Sequence, residues 1–155
     1  MRPAERWLPV GVGGGSRMIV WGGVNGPGSP WGSWTVNYNS GGKYDPATDS
    51  WTPTSTGAKV PAARVGPVAV WTGAEMVVWG GYQCLGNPCP AINFNTGGRY
   101  NPNTDSWQSS SLGGNVPSPR EYHSYLWTGA EMIVWGGRIY GGASYNSGGR
   151  YNPAL

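Results

Sequence analysis

A long internal repeat constrains this sequence more than any other feature. Residues 60–81 and 116–137 are identical at 13 of 22 positions, at a constant offset of 56 residues. The same offset relates residues 41–52 to residues 97–108, which are identical at 8 of 12 positions. A third, more divergent copy opens the chain at an offset of 58. Repeats of about 50 residues built from short strands are typical of propeller arrays, in which each repeat forms one blade.

Each repeat has the same order of sequence signals. The full unit contains P-x-x-R, an apolar run, a turn, M-[IV]-V-W-G-G, a variable stretch, G-G-[KR]-Y-[DN]-P and, in the first two repeats, T-D-S-W. The apolar runs have the length and the Val and Trp content of strands, whereas Gly, Pro, Asn and Asp mark turns. We therefore predict four strands per repeat, with repeats at about 1–59, 60–115 and 116–155. The third repeat stops before its T-D-S-W, which gives eleven strands in all.

Composition supports an all-β fold and excludes several classes of protein. The 28 glycines and 14 prolines exclude a helical protein, while 10 tryptophans and 9 tyrosines supply enough aromatic surface for a core. The net charge is +3, but the basic residues are scattered singly, so neither a nucleic-acid-binding surface nor a membrane span is predicted. The charged fraction of 11% favours an extracellular or periplasmic location, although residues 1–10 do not resemble a signal peptide.

The repeats resemble the Kelch repeats of β-propellers. The resemblance is carried by paired glycines after the second strand, a tyrosine in the third strand and a tryptophan seven residues after that tyrosine. These structural positions are Gly22, Gly23, Gly80, Gly81, Gly136, Gly137, Tyr44, Tyr100, Tyr151, Trp51 and Trp107. The resemblance implies an all-β Kelch-type propeller segment of three four-stranded blades, the third lacking its last strand. In-phase recurrence further predicts that the repeated tryptophans pack between blades.

The propeller ring is expected to be incomplete in one chain. Propellers usually have about four to eight blades, so three blades leave two faces uncovered. We expect either head-to-tail association, in which two chains give six blades around a two-fold axis, or completion by the missing blades of a longer parent chain. In the first repeat Gly13, Gly14 and Gly15 replace Trp-Thr-Gly, and a degraded opening strand is expected there.

Few residues are candidates for catalysis or metal binding. His123 is the only histidine, has no Cys or His nearby in sequence, and is replaced by proline in the second repeat. Asp49 and Asp105 recur in T-D-S-W turns, and Glu75 and Glu131 recur in equivalent hairpins, which indicates structural roles. The segment GVGGGS lacks the lysine and the following helix of a phosphate loop and is interpreted as a hairpin. No metal or cofactor is predicted, and His123 is kept as a candidate ligand contact.

Ligand recognition is expected where the sequence does not repeat. Between the paired glycines and the next G-G lie 17, 15 and 10 residues of unrelated sequence. Variable loops on a repeated scaffold are where binding surfaces usually lie. Their aromatic residues suit stacking on a sugar or gripping a peptide, and they equally suit loops folded over their own aromatics. The candidate contacts are Trp31, Trp34, Tyr38, Phe94, Tyr140 and Tyr145.

The P-x-x-R motif offers a second candidate surface. In Kelch proteins this region lies near a mouth of the central channel, which makes Arg64 and Arg120 candidate ligand contacts. The alternative is a structural role that is repeated in each blade, starting with Arg6. That role is either an ion pair or a cap on backbone carbonyls, and recurrence favours this alternative.

Two cysteines, Cys84 and Cys89, enclose four residues of the second variable stretch. The intervening Gly and Pro permit the close Cα approach that a disulfide needs. We predict a disulfide if the protein is exported, and two free thiols if it resides in a reducing cytosol. The spacing is not that of a zinc or redox motif.

The resemblance implies a non-catalytic binding or interaction module from a secreted or surface-exposed bacterial protein. Its expected partners are a second copy of the chain or missing blades, and a protein or carbohydrate ligand bound by the variable loops. The alternative is a fragment of a larger Kelch-type enzyme, such as a galactose-oxidase-like oxidase or a sugar epimerase. Copper oxidase chemistry needs several His and Tyr ligands, which a chain with one histidine does not supply alone.

Overall fold

The computed structural model describes residues 2–25, 36–84, 86, 90–110, 113 and 115–154. This part of the chain forms fifteen strands, and it contains no helix long and apolar enough to cross a membrane. The strands are β1 (Val10–Gly14), β2 (Arg17–Trp21), β3 (Val24–Asn25), β4 (Val36–Asn37), β5 (Gly41–Asp45), β6 (Ser50–Pro53), β7 (Val68–Trp71), β8 (Met76–Trp79), β9 (Tyr82–Gln83), β10 (Ile92–Asn93), β11 (Gly97–Asn101), β12 (Ser106–Ser109), β13 (Ser124–Trp127), β14 (Met132–Trp135) and β15 (Gly148–Tyr151).

Eleven of these strands form three antiparallel sheets, one for each repeat. The strand order is β1-β2-β5-β6 in the first sheet, β7-β8-β11-β12 in the second and β13-β14-β15 in the third. Each strand therefore pairs with the next long strand of its repeat, as in a propeller blade. The predicted all-β arrangement of four, four and three strands is confirmed for the part of the chain that the structure describes.

In the second and third blades the opening hairpin depends on a short recurring turn. In the second blade the Thr72 hydroxyl oxygen accepts a hydrogen bond from the Glu75 backbone N–H at 3.0 Å, and Gly73 has a φ of 102°. The glycine-rich first blade forms the same hairpin, because β1 pairs with β2 over five residues. The expectation of a degraded opening strand is therefore wrong. Glycine there makes room instead, since a Cβ on Gly14 would lie 3.3 Å from the Trp71 ring of the next blade.

Four two-residue strands lie outside the pattern that the sequence predicts. β3 pairs with β4, and β9 pairs with β10, close to the start and end of the first two variable stretches. Isolated bridges join the same regions to the segment after each P-x-x-R motif. These bridges pair Trp7 with Val24, Val65 with Tyr82 and Glu121 with Arg138. Strands this short have no detectable period, so a sequence pattern cannot predict them.

The core lies between blades, and β8 packs on both of its sides because strand side chains alternate between faces. One cluster fills the junction of the first and second blades. Its buried members are Ile19, Trp21, Ala69, Met76, Val78, Tyr100 and Trp107. A second cluster fills the junction of the second and third blades. Its buried members are Val68, Val70, Val77, Trp79, Met132 and Val134.

The third blade has one uncovered face in the described structure. Its strand β14 alternates between buried and exposed residues, whereas every residue of β8 is buried. Trp135 is 59% exposed, and its counterpart Trp79 is 8% exposed. In the described arc Trp135 therefore lies on an uncovered end face, as expected for three blades, whereas Trp21 and Trp79 are buried between blades as predicted. We name this surface the trailing face; it consists of Leu126, Ile133 and Trp135.

The first blade has an uncovered face on its other side. Met18 is 47% exposed, whereas its counterpart Met76 is fully buried against the first blade. We name the surface formed by Met18 and Val20 the leading face. Inside the arc, the leading face of each blade packs on the trailing face of the blade before it. The described arc therefore ends in one face of each kind.

The paired glycines let neighbouring backbones approach closely. Gly80 and Gly81 have φ values of 72° and 84°, a left-handed conformation that residues with side chains rarely adopt. A Cβ on Gly81 would lie 2.7 Å from the Val65 carbonyl oxygen, and one on Gly80 would lie 2.6 Å from the His123 ring of the next blade. Backbone conformation and packing between blades both account for the doubled glycine.

Candidate functional site

An arginine caps backbone carbonyls in every blade, and this arginine is buried in the second and third blades. Arg64 Nη1 donates to the carbonyl oxygens of Gly80 at 3.0 Å and Thr96 at 2.7 Å, and its Nε donates to a carbonyl two residues earlier. Arg6 and Arg120 make the equivalent bonds in their own blades. Arg64 is 1% exposed, and burial lowers the pKa of its guanidinium to about 10, which leaves it charged at neutral pH. The P-x-x-R motif therefore has the backbone-capping role.

An aromatic ring lies against each of these guanidinium groups. The distance from guanidinium carbon to ring centre is 4.6 Å for Arg6 and Tyr38, 4.3 Å for Arg64 and Phe94, and 4.4 Å for Arg120 and Tyr145. The three aromatics share one position in a recurring motif, [YF]-N-[ST]-G-G. The last three residues of each variable stretch therefore recur, and the expectation that the whole stretches are unrelated in sequence is wrong for these positions. Their role as ligand contacts stays a prediction, and Trp31 and Trp34 lie outside the described residues.

His123 lies in the junction between the second and third blades. It is 5% exposed, its ring packs edge-on against Trp79 with centroids 5.1 Å apart, and neither ring nitrogen has a hydrogen-bond partner among the described residues. Burial, with a smaller effect from the charge of Arg120, lowers the pKa of His123 to about 4. The imidazole is therefore neutral at pH 7 and is covered by protein rather than presented to a ligand.

The recurring carboxylates have partners inside their blades. Each T-D-S-W aspartate accepts a hydrogen bond from the tyrosine hydroxyl five residues before it, and each hairpin glutamate pairs with a basic residue of the third strand. These pairs are Asp49 with Tyr44, Asp105 with Tyr100, Glu75 with Arg99 and Glu131 with Arg150. Over the described ranges, no three His, Cys, Asp or Glu residues are grouped so that they could hold a metal ion.

The described parts of the variable stretches lie side by side. Asn37 connects the first variable stretch to the second, because its side-chain amide donates to the Cys84 carbonyl oxygen at 2.6 Å and accepts from the Cys84 N–H at 3.0 Å. Asn93 ties the second to the third by accepting from the Tyr140 N–H at 2.9 Å, while the Tyr82 and Tyr140 rings lie 5.5 Å apart. Cys84 is disulfide-bonded. Its predicted partner Cys89 lies outside the described residues, so the pairing stays a prediction.

We name the surface formed by the described parts of the variable stretches and by the segments after the P-x-x-R motifs the loop face. It carries seven of the twelve large hydrophobic residues that are exposed in the described part of the chain, so it is the candidate interaction surface. The seven residues are Trp7, Leu8, Val36, Ile92, Tyr122, Ile139 and Tyr140. Of the predicted contacts in the variable stretches, Tyr140 is the one that the described structure places here with its side chain exposed, at 43%.

Two exposed residues of the loop face have a strained backbone. Leu8 and Tyr122 have φ values of 50° and 52°, at the position where the second blade has Gly66 with a φ of 57°. A left-handed conformation costs a residue with a side chain about 1–2 kcal/mol relative to glycine. Leu8 is 42% and Tyr122 is 60% exposed, so side-chain burial does not offset that cost. Strain and exposure at the same two residues are typical of a binding surface.

A buried acidic residue next to Tyr122 was not predicted from the sequence. Glu121 is fully buried, its Oε1 accepts a hydrogen bond from Arg138 Nε at 3.2 Å, and its Oε2 has no partner among the described residues. Burial raises the pKa of this carboxyl. The Arg138 guanidinium also lies 5.2 Å from the centre of the Tyr122 ring. The sequence does indicate that Glu121 is unusual, because Trp7 and Val65 occupy the same repeat position in the other two blades.

Three sheets built from one repeat, joined through paired glycines and arginine caps, define an arc of a β-propeller. The family model described as "KLHDC2/KLHL20/DRC7 Kelch-repeats domain" matches residues 10–153. The chain therefore belongs to the Kelch-repeat family, and the resemblance seen in the sequence is confirmed. Kelch-repeat domains generally mediate protein–protein interactions.

Curated mammalian proteins match most of the chain. It is similar to Kelch domain-containing protein 3 of Bos taurus, with 30% identity over 121 residues, which is 78% of this chain and 29% of that protein. Proteins of the same name from Rattus norvegicus and Mus musculus match to the same extent. The chain thus spans 29% of the length of these relatives.

Proposed function

We propose that this chain is a non-catalytic protein-interaction module that binds its partner through the loop face. The observation that carries the proposal is the pair Leu8 and Tyr122, which hold strained backbones and exposed apolar side chains where the second blade has Gly66. A scaffold role does not require either side chain, because glycine serves at the same place in the blade between them.

The chemistry of the loop face supports a protein partner with an apolar contact region and a polar rim. Exposed Trp, Tyr, Ile and Leu side chains supply the apolar area, and Arg138 beside Tyr122 supplies a fixed cation. Tyr, Trp and Arg are enriched where protein interfaces concentrate their binding energy. The hydrogen bonds of Asn37 and Asn93 hold these stretches in place, which lowers the entropy lost on binding.

A display experiment tests this proposal. Peptides selected from a random phage library against the chain are measured against the double variant Leu8→Gly and Tyr122→Gly. We expect binding to fall by about tenfold or more, as at interface hot spots. The variant Tyr125→Ala is the matched control, because Tyr125 is 53% exposed on β13 and belongs to no loop-face segment. Equal affinity for the double variant and the unmodified chain would contradict the proposal, and a glycan array probed with the same three proteins tests the carbohydrate alternative.

We further propose that the two uncovered faces of the arc bind each other in head-to-tail association. The leading face of one chain packs on the trailing face of another, so that self-association supplies the missing blade contacts. This association is supported by the two internal junctions, where leading and trailing faces pack together and bury Trp21 and Trp79.

We also propose that the protein is exported. The disulfide at Cys84 supports this location, since disulfides persist in oxidising compartments.

A further inference from the structure

The exposed loop-face residue Tyr122 lies between two buried titratable residues. Glu121 before it is fully buried and His123 after it is 5% exposed, whereas Tyr122 itself is 60% exposed. The other two blades have an apolar residue and a proline at the flanking positions. These residues are Trp7 with Pro9 in the first blade and Val65 with Pro67 in the second. The blade scaffold therefore requires neither titratable side chain.

The His123 ring occupies the place that Pro67 occupies in the second blade. A Cβ on Gly22 would lie 3.9 Å from Pro67 Cγ, and a Cβ on the equivalent Gly80 would lie 2.6 Å from His123 Cε1. The His123 ring also packs edge-on against Trp79. His123 therefore packs between the second and third blades in the way that Pro67 packs between the first and second.

Unlike proline, the His123 ring can take up a proton. Both of its nitrogens are buried without a hydrogen-bond partner among the described residues. The strands β8 and β14 and the paired glycines after them contain no titratable side chain, so they offer no counterion. The titratable groups of the surrounding segments are Tyr82, Arg120, Glu121, Tyr122, Tyr125 and Arg138.

The charges near His123 do not favour an imidazolium in this place. Burial and the positive charge of Arg120 both lower the pKa of His123. The carboxylate of Glu121 already accepts a hydrogen bond from Arg138 at 3.2 Å. A buried charge without a partner is costly, so protonation of the ring favours its transfer to solvent.

We propose that His123 is a pH-sensitive latch: when its imidazole takes up a proton, the ring leaves the junction, Tyr122 loses its support, and binding at the loop face weakens. The inference rests on the function proposed above, since Tyr122 is one of the two residues that carry it. Tyr122 needs this support because its left-handed backbone, with a φ of 52°, persists only where the surrounding structure holds it. Release relieves that strain, so strain and protonation act in the same direction.

The latch operates below the ordinary pKa of an imidazole. The pKa of His123 is about 4 in the junction, whereas a ring released to solvent has the ordinary value of 6.5. Between these two values, each unit fall in pH favours the released form by about tenfold. At pH 7.5 the ring is neutral in either position, and the loop face has its full affinity.

Nuclear magnetic resonance of the imidazole tests the latch without a ligand, because His123 is the only histidine. The full chain is titrated from pH 7.5 to 4.5, and the Cε1–H signal is followed. We expect the signal of a neutral ring at pH 7.5 and, below about pH 6, a separate signal of a protonated ring that grows as the first one shrinks. Circular dichroism at each pH verifies that the sheets persist.

Two results of this titration overturn the proposal. A single signal that moves smoothly with a midpoint of about 6.5 belongs to an exposed ring. A protonated signal that grows only as the sheet spectrum is lost reports unfolding of the whole chain rather than local release.

A binding measurement tests the consequence for the loop face. The probe is a fluorescein-labelled peptide without Asp, Glu or His, selected on the chain at pH 7.5 and dependent on Leu8 and Tyr122. Its affinity for the unmodified chain should fall by about threefold or more between pH 7.5 and 5.0. His123→Pro, which introduces the residue of the other blades, and His123→Phe, which keeps a ring, should each bind with an affinity that does not change with pH. Glu121→Gln should keep the pH dependence.

The latch and the proposed function fail in different ways. Equal affinity of the unmodified chain at both pH values, or an equal acid-induced loss in the two His123 variants, overturns the latch and leaves the loop face as the binding surface. If every selected peptide binds independently of Leu8 and Tyr122, the proposed function fails. The imidazole signals then decide by themselves whether the ring leaves the junction.

Discussion

The guanidinium carbon of Arg64 lies 4.3 Å from the centre of the Phe94 ring, and the same guanidinium donates to two backbone carbonyls of its blade. The carbonyl of Arg64 in turn accepts from the Gly23 N–H of the preceding blade at 2.9 Å. One buried residue thereby joins the third strand of its own blade to the paired glycines of the blade before it. Equivalent residues repeat this arrangement along the arc, so the P-x-x-R motif is the main polar link of the scaffold.

Replacing this arginine by lysine should destabilise the second blade. Arg64→Lys keeps the charge but loses the planar group that bonds two carbonyls and stacks on Phe94, and we expect a loss of about 2 kcal/mol in the free energy of unfolding. Urea unfolding followed by tryptophan fluorescence measures this loss. Arg6→Lys is the matched control and should cost less, because Arg6 is partly exposed at the end of the arc. Equal losses in the two variants would contradict the linking role.

Two tryptophans at the same repeat position should respond differently to truncation. Trp79→Ala removes a side chain buried between two blades and should cost about 3–5 kcal/mol or abolish folding. Trp135→Ala removes a side chain that is 59% exposed and should change stability by about 0.5 kcal/mol or less in the isolated chain. Thermal unfolding of both variants, at a concentration where light scattering gives the mass of one chain, distinguishes them. Similar melting temperatures under these conditions would contradict the exposure of Trp135 in the single chain.

Acid should destabilise the fold through His123. Its pKa is about 4 in the folded chain against an ordinary value of 6.5, so the unfolded chain binds a proton that the folded chain excludes between these values. The stability is therefore fully present above pH 6.5 and falls with pH towards 4, by at most about 1.4 kcal/mol per pH unit. Melting temperatures from pH 7.5 to 4.5 measure this effect.

His123→Pro provides the control for that measurement. Proline occupies the same position in the other two blades, at Pro9 and Pro67, and Leu8 precedes Pro9 with the left-handed backbone that Tyr122 also has. The pKa of Glu121 is raised by burial, which acts in the opposite direction, but Glu121 is present in both proteins. The acid-induced loss should therefore shrink in the variant. An identical pH profile in the two proteins would assign acid sensitivity to other groups.

The sequence predicts the blades well because the repeat records their packing. Several features recur in phase: the apolar strand segments, the paired glycines and the tryptophan seven residues after Tyr44 and Tyr100. Because the copies agree, the strand assignment of one repeat supports that of the others. The two-residue strands were not predictable, since they depend on contacts between distant segments. The exposure of Trp135 agrees with the expectation that three blades leave two faces uncovered, although in-phase recurrence alone predicts that this tryptophan is core.

The candidate site was only partly predictable. The lack of repetition placed recognition in the variable stretches, which included Tyr38, Phe94 and Tyr145. Their shared motif and their contacts with the arginine guanidinium groups give these three residues a structural role, and their role as ligand contacts stays a prediction. The strained positions Leu8 and Tyr122 were not predictable, because a left-handed backbone at a bulky residue has no signature in a single sequence. Their alignment with Gly66 was the one available indication.

The mass of the chain in solution tests most directly the claim that it is an open arc with two complementary uncovered faces. Light scattering at micromolar concentration should give at least twice the 16.4 kDa of one chain, with the dimer favoured. Trp135→Asp, which places a charge on the trailing face, should return the mass to that of a single chain. A compact, cooperatively folded monomer of 16.4 kDa for the unmodified chain would contradict the account.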